Sequence, residues 1–271
     1  MEVILPHRAG ISKAAQELDA VARASRDDAP HALSLVSDAM VEAEVPHPVP
    51  AIEPRRRSEI ACRVVNVVLA GIMLVLAAPI LAIAALAIKA TSPGPIFYTQ
   101  PRVGLDRRRR RQHRESFYNR RSHNLGGQIF RIWKLRTMRH DAERQTGVTW
   151  ASQQDPRATR IGLLLRKSRI DEIPQLVNVL KGEMNIVGPR PERPSLVAQL
   201  SSGIPEYPLR LMARPGITGW AQVNQAYDST LDDVKRKVQL DLEYLRRQGV
   251  REDLRIMLLT IPVMLLRNKG W

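Results

Sequence analysis

Val64-Val-Asn-Val-Val-Leu-Ala-Gly-Ile-Met-Leu-Val-Leu-Ala-Ala-Pro-Ile-Leu-Ala-Ile-Ala-Ala-Leu-Ala-Ile88 is a run of 25 residues with no charge and one strongly polar side chain, Asn66. As a helix it is long enough to cross a hydrocarbon core, which takes about 20 residues. The segment therefore belongs in a membrane. Two features argue against a plain span. Pro79, near the middle, removes a backbone hydrogen bond, and both flanks are basic. Arg55, Arg56, Arg57 and Arg63 precede the run; Lys89, Arg102 and the arginines of 107–111 follow it. Lys and Arg favour the cytoplasmic side, so positive charge at both ends suits a chain that enters, turns at Ala78-Pro79 and leaves again. A re-entrant helical hairpin over 56–90 is the expectation. A single span kinked at Pro79 is the alternative, because membrane helices tolerate proline.

Upstream, residues 1–55 are rich in Ala, Ser, Asp, Glu and Pro and close on Val45-Pro-His-Pro-Val-Pro50 and Glu53-Pro54. That composition predicts a disordered extension. Ala14, Leu18, Val21 and Ala22 allow one short amphipathic helix over 11–24. Glu2, Lys13, Glu17 and Asp19 break up any apolar stretch at the start, so no secretory leader is expected.

Downstream, the turn cluster Ser92-Pro-Gly-Pro95 leads into a β-like run over 96–99 and then a strongly basic loop. A strand is predicted over 128–138 and helices over 162–167, 172–180, 192–200 and 231–247. The apolar run 256–266 has only eleven residues and contains Pro262. It is too short to span, which leaves an interfacial helix among Arg251, Arg255, Arg267 and Lys269 or a buried core helix. The predicted fold class is an α-rich α+β arrangement. A membrane hairpin is followed over 91–271 by a small cytosolic catalytic domain with amphipathic interfacial helices.

The 271 residues carry 42 Lys and Arg against 27 Asp and Glu, a net charge of +15. Such a balance calls for an anionic partner: phospholipid headgroups, a phosphorylated substrate or nucleic acid. The single cysteine, Cys62, excludes a disulfide framework and a cysteine-rich zinc site. It reads as a small apolar residue.

The residues that carry chemistry lie in 165–191, LRKSRIDEIPQLVNVLKGEMNIVGPRP. Adjacent carboxylates, Asp171 and Glu172, follow Arg166, Lys167 and Arg169 and open an apolar helix. With Asp171 as N-cap, Pro174 falls in the first turn, where its missing N–H costs nothing. Ser168 and Asp171 would otherwise form a capping box. Beyond capping, three cations suit a pyrophosphate, and paired acids suit Mg²⁺, which takes one or two carboxylates plus phosphate oxygens. A carboxylate can also attack phosphorus, dividing one hard transfer into two steps.

At these residues the chain resembles the bacterial sugar transferase family, the monotopic phosphoglycosyl transferases that start polysaccharide and glycoconjugate assembly on a polyprenyl phosphate. The resemblance covers about three quarters of the chain, from Arg63 onward. It rests on ordered blocks: SPGP at 92–95, the block 100–104, FRIWKLRTM at 130–138, SRIDEIP at 168–174, NVLKGEMNIVGPRP at 178–191 and RPGITGWAQVN at 214–224. It implies that Asp171 takes the phosphosugar from a UDP-sugar and expels UMP, that Glu172 helps Asp171 hold Mg²⁺, and that the lipid phosphate attacks next. Lys134, Arg136, Arg166, Arg190 and Arg214 match basic positions of the family blocks and are candidate phosphate or nucleotide contacts. Glu192-Arg193-Pro194, following the Pro-Arg-Pro turn, resembles members that move hexose 1-phosphates such as glucose or galactose in exopolysaccharide synthesis. The resemblance further implies the bacterial inner membrane, a catalytic part on its cytoplasmic face in contact with anionic lipids, and no nucleic-acid partner; a homo-oligomer is compatible with it.

This chain departs from the family in three places. Ala78 stands where a Ser-Pro pair is usual, Asn66 stands where Asp often follows a basic residue, and the basic segment 107–125 is an insertion. An ordinary glycosyltransferase is disfavoured by the lack of any Asp-x-Asp, and a P-loop phosphotransferase by the lack of its glycine-rich motif. The non-enzymatic rival is a membrane-tethered basic module that binds RNA or acidic lipid through 107–121.

Overall fold

Ser58 launches the first helix. Its hydroxyl accepts from the Ala61 amide at 3.2 Å, and Glu59 in the first turn complements the helix dipole. The helix, α1, runs over Glu59–Thr91, 33 residues with Pro79 inside. The computed structural model describes residues 52–106, 127–139, 142, 155–225 and 230–266. The expected extension up to 51 with its 11–24 helix, the basic insert from 107, and Arg267 and Lys269 lie outside the described residues. Residues 52–57 already lie against the body: Ile52 is buried in the core, and the Arg55 amide donates to the Leu245 carbonyl at 2.9 Å. Residues 52–55, within the stretch read from the sequence as an extension, thus lie against the body.

After the Ser92 turn, β1 (Phe97–Val103) pairs antiparallel with β2 (Ile129–Leu135), Phe97 opposite Leu135 and Val103 opposite Ile129. The chain continues through α2 (Arg160–Lys167), a 3-10 turn (Ile170–Glu172), α3 (Gln175–Lys181) and β3 (Asn185–Val187). Then come α4 (Pro194–Gly203), a second 3-10 turn (Tyr207–Met212), β4 (Gly216–Thr218), α5 (Trp220–Asn224), α6 (Leu231–Arg247) and α7 (Val250–Leu266). Strand β3 pairs parallel with β4, so the described sheets are two small two-stranded ones within a largely helical body.

The two ends of α1 dock on that body through different clusters. Ala70 joins the main core with Val179, Met184, Ile186, Leu242 and Ile256, while Ala84 and Ile88 pack with Leu135 and Leu165. Between them Val75, Leu76 and Ile83 stand out, each about 70 % exposed (73, 71 and 69 %). Leaving such side chains in water forgoes about 1.5–3 kcal/mol apiece, so this stretch belongs in an apolar medium. Asn66, 1 % exposed, has a use of its own: Nδ2 donates to the Cys62 carbonyl at 2.7 Å and Oδ1 accepts from the Ile186 amide at 2.6 Å. Arg63 donates to the Val179 and Leu180 carbonyls at the end of α3. Arg63 and Asn66 therefore tie the helix to the body rather than to each other.

The predicted helix over 231–247 matches α6, which starts on a Thr230–Asp233 capping box. The last helix is longer than the apolar run suggested, because its first turn is charged while Asp253 and Ile256 point inward. Its other face exposes Leu254, Leu258, Ile261 and Met264. The helix is thus partly core and partly surface.

Candidate active site

The acid pair does not cap a helix. Asp171 and Glu172 lie inside the 3-10 turn, closed by the Glu172 amide on the Arg169 carbonyl at 3.1 Å, and α3 starts only at Gln175. The expected N-cap at Asp171 and capping box with Ser168 are both corrected: Ser168 instead closes α2, its hydroxyl donating to the Leu164 carbonyl at 2.9 Å. The physical reason is local. Arg169 adopts a left-handed conformation, φ 59°, which breaks the helical path after α2, and Pro174 occupies the N-cap of α3 without an acceptor side chain. A non-glycine residue in that region costs about 1–2 kcal/mol, so packing around it must hold it.

Freed from capping, the two carboxylates meet different surroundings. Glu172 Oε1 accepts from Lys134 Nζ at 2.7 Å and from Arg190 Nη2 at 2.8 Å, and Oε2 lies 3.6 Å from Arg169 Nη1. Burial would raise its pKa, but Arg190 and Lys134 outweigh burial and hold it well below the ordinary carboxylate range. Asp171, 6 % exposed, accepts no hydrogen bond among the described residues. Burial first, and the Glu172 charge second, push its carboxyl up to about 6, against the opposing pull of Lys134, Arg166 and Arg190. One acid is a held anion; its neighbour is a desolvated carboxylate whose oxygens accept no hydrogen bond from the described residues.

Three elements bring this together. Strand β2 carries Lys134, the 3-10 turn carries the acids, and the Pro189-Arg190-Pro191 turn after β3 carries Arg190. Asn178 of α3, fully buried, ties the helix that follows the acid turn to β2: Oδ1 accepts from the Trp133 amide at 3.0 Å and Nδ2 donates to the Arg131 carbonyl at 2.7 Å. The sequence reading did not single out Asn178. Arg166 donates Nε to Thr137 Oγ1 at 3.1 Å and contributes positive potential at Asp171.

Two of the basic positions go elsewhere. Arg136 is buried and clamps the turn after α1, donating to the Ser92 and Pro93 carbonyls at 2.9 and 2.7 Å. Arg214 meets Glu59 at 3.4 Å, at the start of α1. Among the described residues no cluster of three or more His, Cys, Asp or Glu could hold a metal. Mg²⁺ takes one or two carboxylates and completes its shell with phosphate oxygens and water, and Asp171 and Glu172 are the adjacent acids here, with Glu172 facing Lys134, Arg190 and Arg169.

The family model described as bacterial sugar transferase matches residues 57–267. The chain belongs to the bacterial sugar transferase family. It is 39 % identical over 220 residues to the UDP-glucose:undecaprenyl-phosphate glucose-1-phosphate transferase of Caulobacter vibrioides, covering 80 % of this chain and 74 % of that protein. An Escherichia coli protein of the same name is 39 % identical over 201 residues, 73 % of this chain but 39 % of its own length. The UDP-N-acetylgalactosamine-undecaprenyl-phosphate N-acetylgalactosaminephosphotransferase of Aeromonas hydrophila is 38 % identical over 203 residues, 75 % of this chain and 43 % of its own. This family member thus spans less than half of the latter two relatives. Their names place two different sugars on the same lipid phosphate.

Proposed function

We propose that this chain transfers a sugar 1-phosphate from a UDP-sugar to undecaprenyl phosphate and releases UMP, as the first membrane step of exopolysaccharide or glycoconjugate synthesis. The observation that carries the reading is the buried Asp171, which accepts no hydrogen bond from the described residues, beside a Glu172 held by Lys134 and Arg190. A carboxylate without hydrogen-bond donors keeps its lone pairs for attack on phosphorus. In the first step an Asp171 oxygen bonds to the sugar-bearing phosphorus, and the bond from that phosphorus to the bridging oxygen breaks, so UMP leaves with the electron pair. In the second, an oxygen of the lipid phosphate attacks the same phosphorus and restores the Asp171 carboxylate. Arg166, Arg190 and Lys134 offset the charge of the diphosphate. Mg²⁺ held by Asp171 and Glu172 would add to that neutralisation.

Family membership and the apolar α1 indicate membrane association. The finer reading is a re-entrant hairpin turning near Pro79, with the catalytic body at the cytoplasmic face of the bacterial inner membrane, among anionic lipids. It is supported by the docking of both ends of α1 on one body with the middle exposed. Residues introduced as cysteines at 58 and 92 in a Cys62→Ala background should both label from the cytoplasm; labelling from opposite sides would establish a span. The basic-module alternative accounts for neither the acid pair nor the family match. The reaction is tested by UMP release from UDP-glucose, UDP-galactose and UDP-N-acetylgalactosamine with undecaprenyl phosphate, with and without chelator. Chelator-sensitive release with a lipid diphosphate-sugar product is expected; folded protein that releases no UMP from any donor would sink the proposal.

A further inference from the structure

Behind the Pro189-Arg190-Pro191 turn lies a second set of charges that the reaction does not touch. Arg210, on the 3-10 turn Tyr207–Met212, and Asp241, on α6, are each 2 % exposed. Arg210 Nε and Nη2 reach the same carboxylate oxygen of Asp241 at 2.8 and 2.7 Å, and Nη1 donates to the Tyr207 hydroxyl at 2.9 Å. Nη2 also donates to the backbone carbonyl of Arg190 at 3.0 Å. Neighbouring groups of the turn are held in the same way. Gly216 N donates to the Pro189 carbonyl at 3.0 Å, Arg102 Nη1 to the Pro191 carbonyl at 3.1 Å, and Lys237 Nζ to the Glu192 carboxylate at 2.9 Å.

Burying a guanidinium is expensive, and an ion pair in a core often contributes no more stability than apolar side chains of similar volume. A planar fork, however, fixes direction as well as distance. We infer that Arg210, locked by Asp241, is a positioning residue that sets the Arg190 backbone and thereby aims the Arg190 guanidinium at Glu172. The inference rests on the proposed phosphosugar transfer, and it assigns Arg210 and Asp241 no contact with substrate.

The deciding variant is the double replacement Arg210→Met/Asp241→Leu, which removes both buried charges at similar volume. If the pair served stability alone, this variant would recover both folding and turnover. Expected instead is a folded protein whose kcat for UMP release falls about 10²-fold, the size of effect that a displacement of about 1 Å produces. Adding Arg190→Gln to the double variant should then cost much less than it does in the parent. Amide hydrogen exchange over 188–192 should speed up as well. Should the double variant not fold, Arg210→Lys, which keeps the charge but lacks the fork, carries the same measurements. Parent-like kcat together with unchanged exchange over 188–192 would overturn the inference. A parent protein that releases no UMP would overturn the proposed reaction, while the exchange comparison would still decide the positioning role.

Discussion

Two charged clusters flank the Pro189-Arg190-Pro191 turn, and they are built on opposite rules. At the front, Glu172 is held by cations while Asp171 accepts no hydrogen bond from the described residues. At the back, Arg210 meets a carboxylate, a hydroxyl and a carbonyl, and Lys237 and Arg102 meet Glu192. Against a burial that would raise it, Lys237, Arg102 and Arg210 keep the Glu192 carboxyl at about 2. The difference separates two uses of buried charge: sparse pairing leaves a group able to react, and dense pairing ties a stretch of backbone to its surroundings.

Asp171→Asn gives the largest test of that contrast. It should reduce UMP release by about 10⁴-fold or more, the scale of losing a covalent nucleophile, without loss of folded protein in a thermal melt. Full turnover in that variant would break the comparison at its reactive side. Asp241→Asn should behave in the opposite sense and lower stability by about 3–5 kcal/mol, because it strands a buried guanidinium. The urea midpoint in micelles measures this, and an unmoved midpoint would mean the rear cluster is not closed.

The acid pair also sets a pH signature. Attack needs ionised Asp171, so kcat/KM should fall as pH drops through about 6, and Glu172→Gln should move that limb to lower pH by removing a neighbouring negative charge. The same raised carboxyl favours the folded state below its unfolded pKa of about 4 and loses that contribution as pH rises through about 6. Asp171→Asn should therefore be more stable than the parent at pH 8, by about 1–3 kcal/mol. An effect of the same size is expected where α1 meets β3. Asn66→Leu leaves the Ile186 amide of β3 without its acceptor and should cost about 1–3 kcal/mol in the same urea assay.

What the sequence disclosed follows how local each signal is. Helix α6 was legible because Val234, Val238, Leu242 and Leu245 recur at helical spacing; the Thr230–Asp233 cap that starts it came only with the structure. The acid pair was legible as chemistry because Asp171 and Glu172 are adjacent and follow three cations, but its backbone was misread, since the left-handed turn at Arg169 has no glycine to announce it. Arg136 and Arg214 look like Arg190 in one dimension, and only the fold sends them to carbonyls and to Glu59. Arg210 and Asp241 stand 31 positions apart, so nothing short of tertiary structure joins them. Helix α7 was read short because Arg251, Glu252, Asp253 and Arg255 crowd its start, and the inward-facing Asp253 gives no apolar signal.

The close pairing of β3 and β4 has a bearing on what can be changed. A methyl group placed on Gly188 would sit 2.2 Å from the Arg214 carbonyl oxygen, and one on Gly216 would sit 2.1 Å from the Gly188 nitrogen. Both contacts are with backbone, which no rotamer change relieves. Anyone redesigning donor preference by saturating this loop will find these two positions closed to every side chain, alanine included. Variation there has to be sought at sites that leave the two main chains touching.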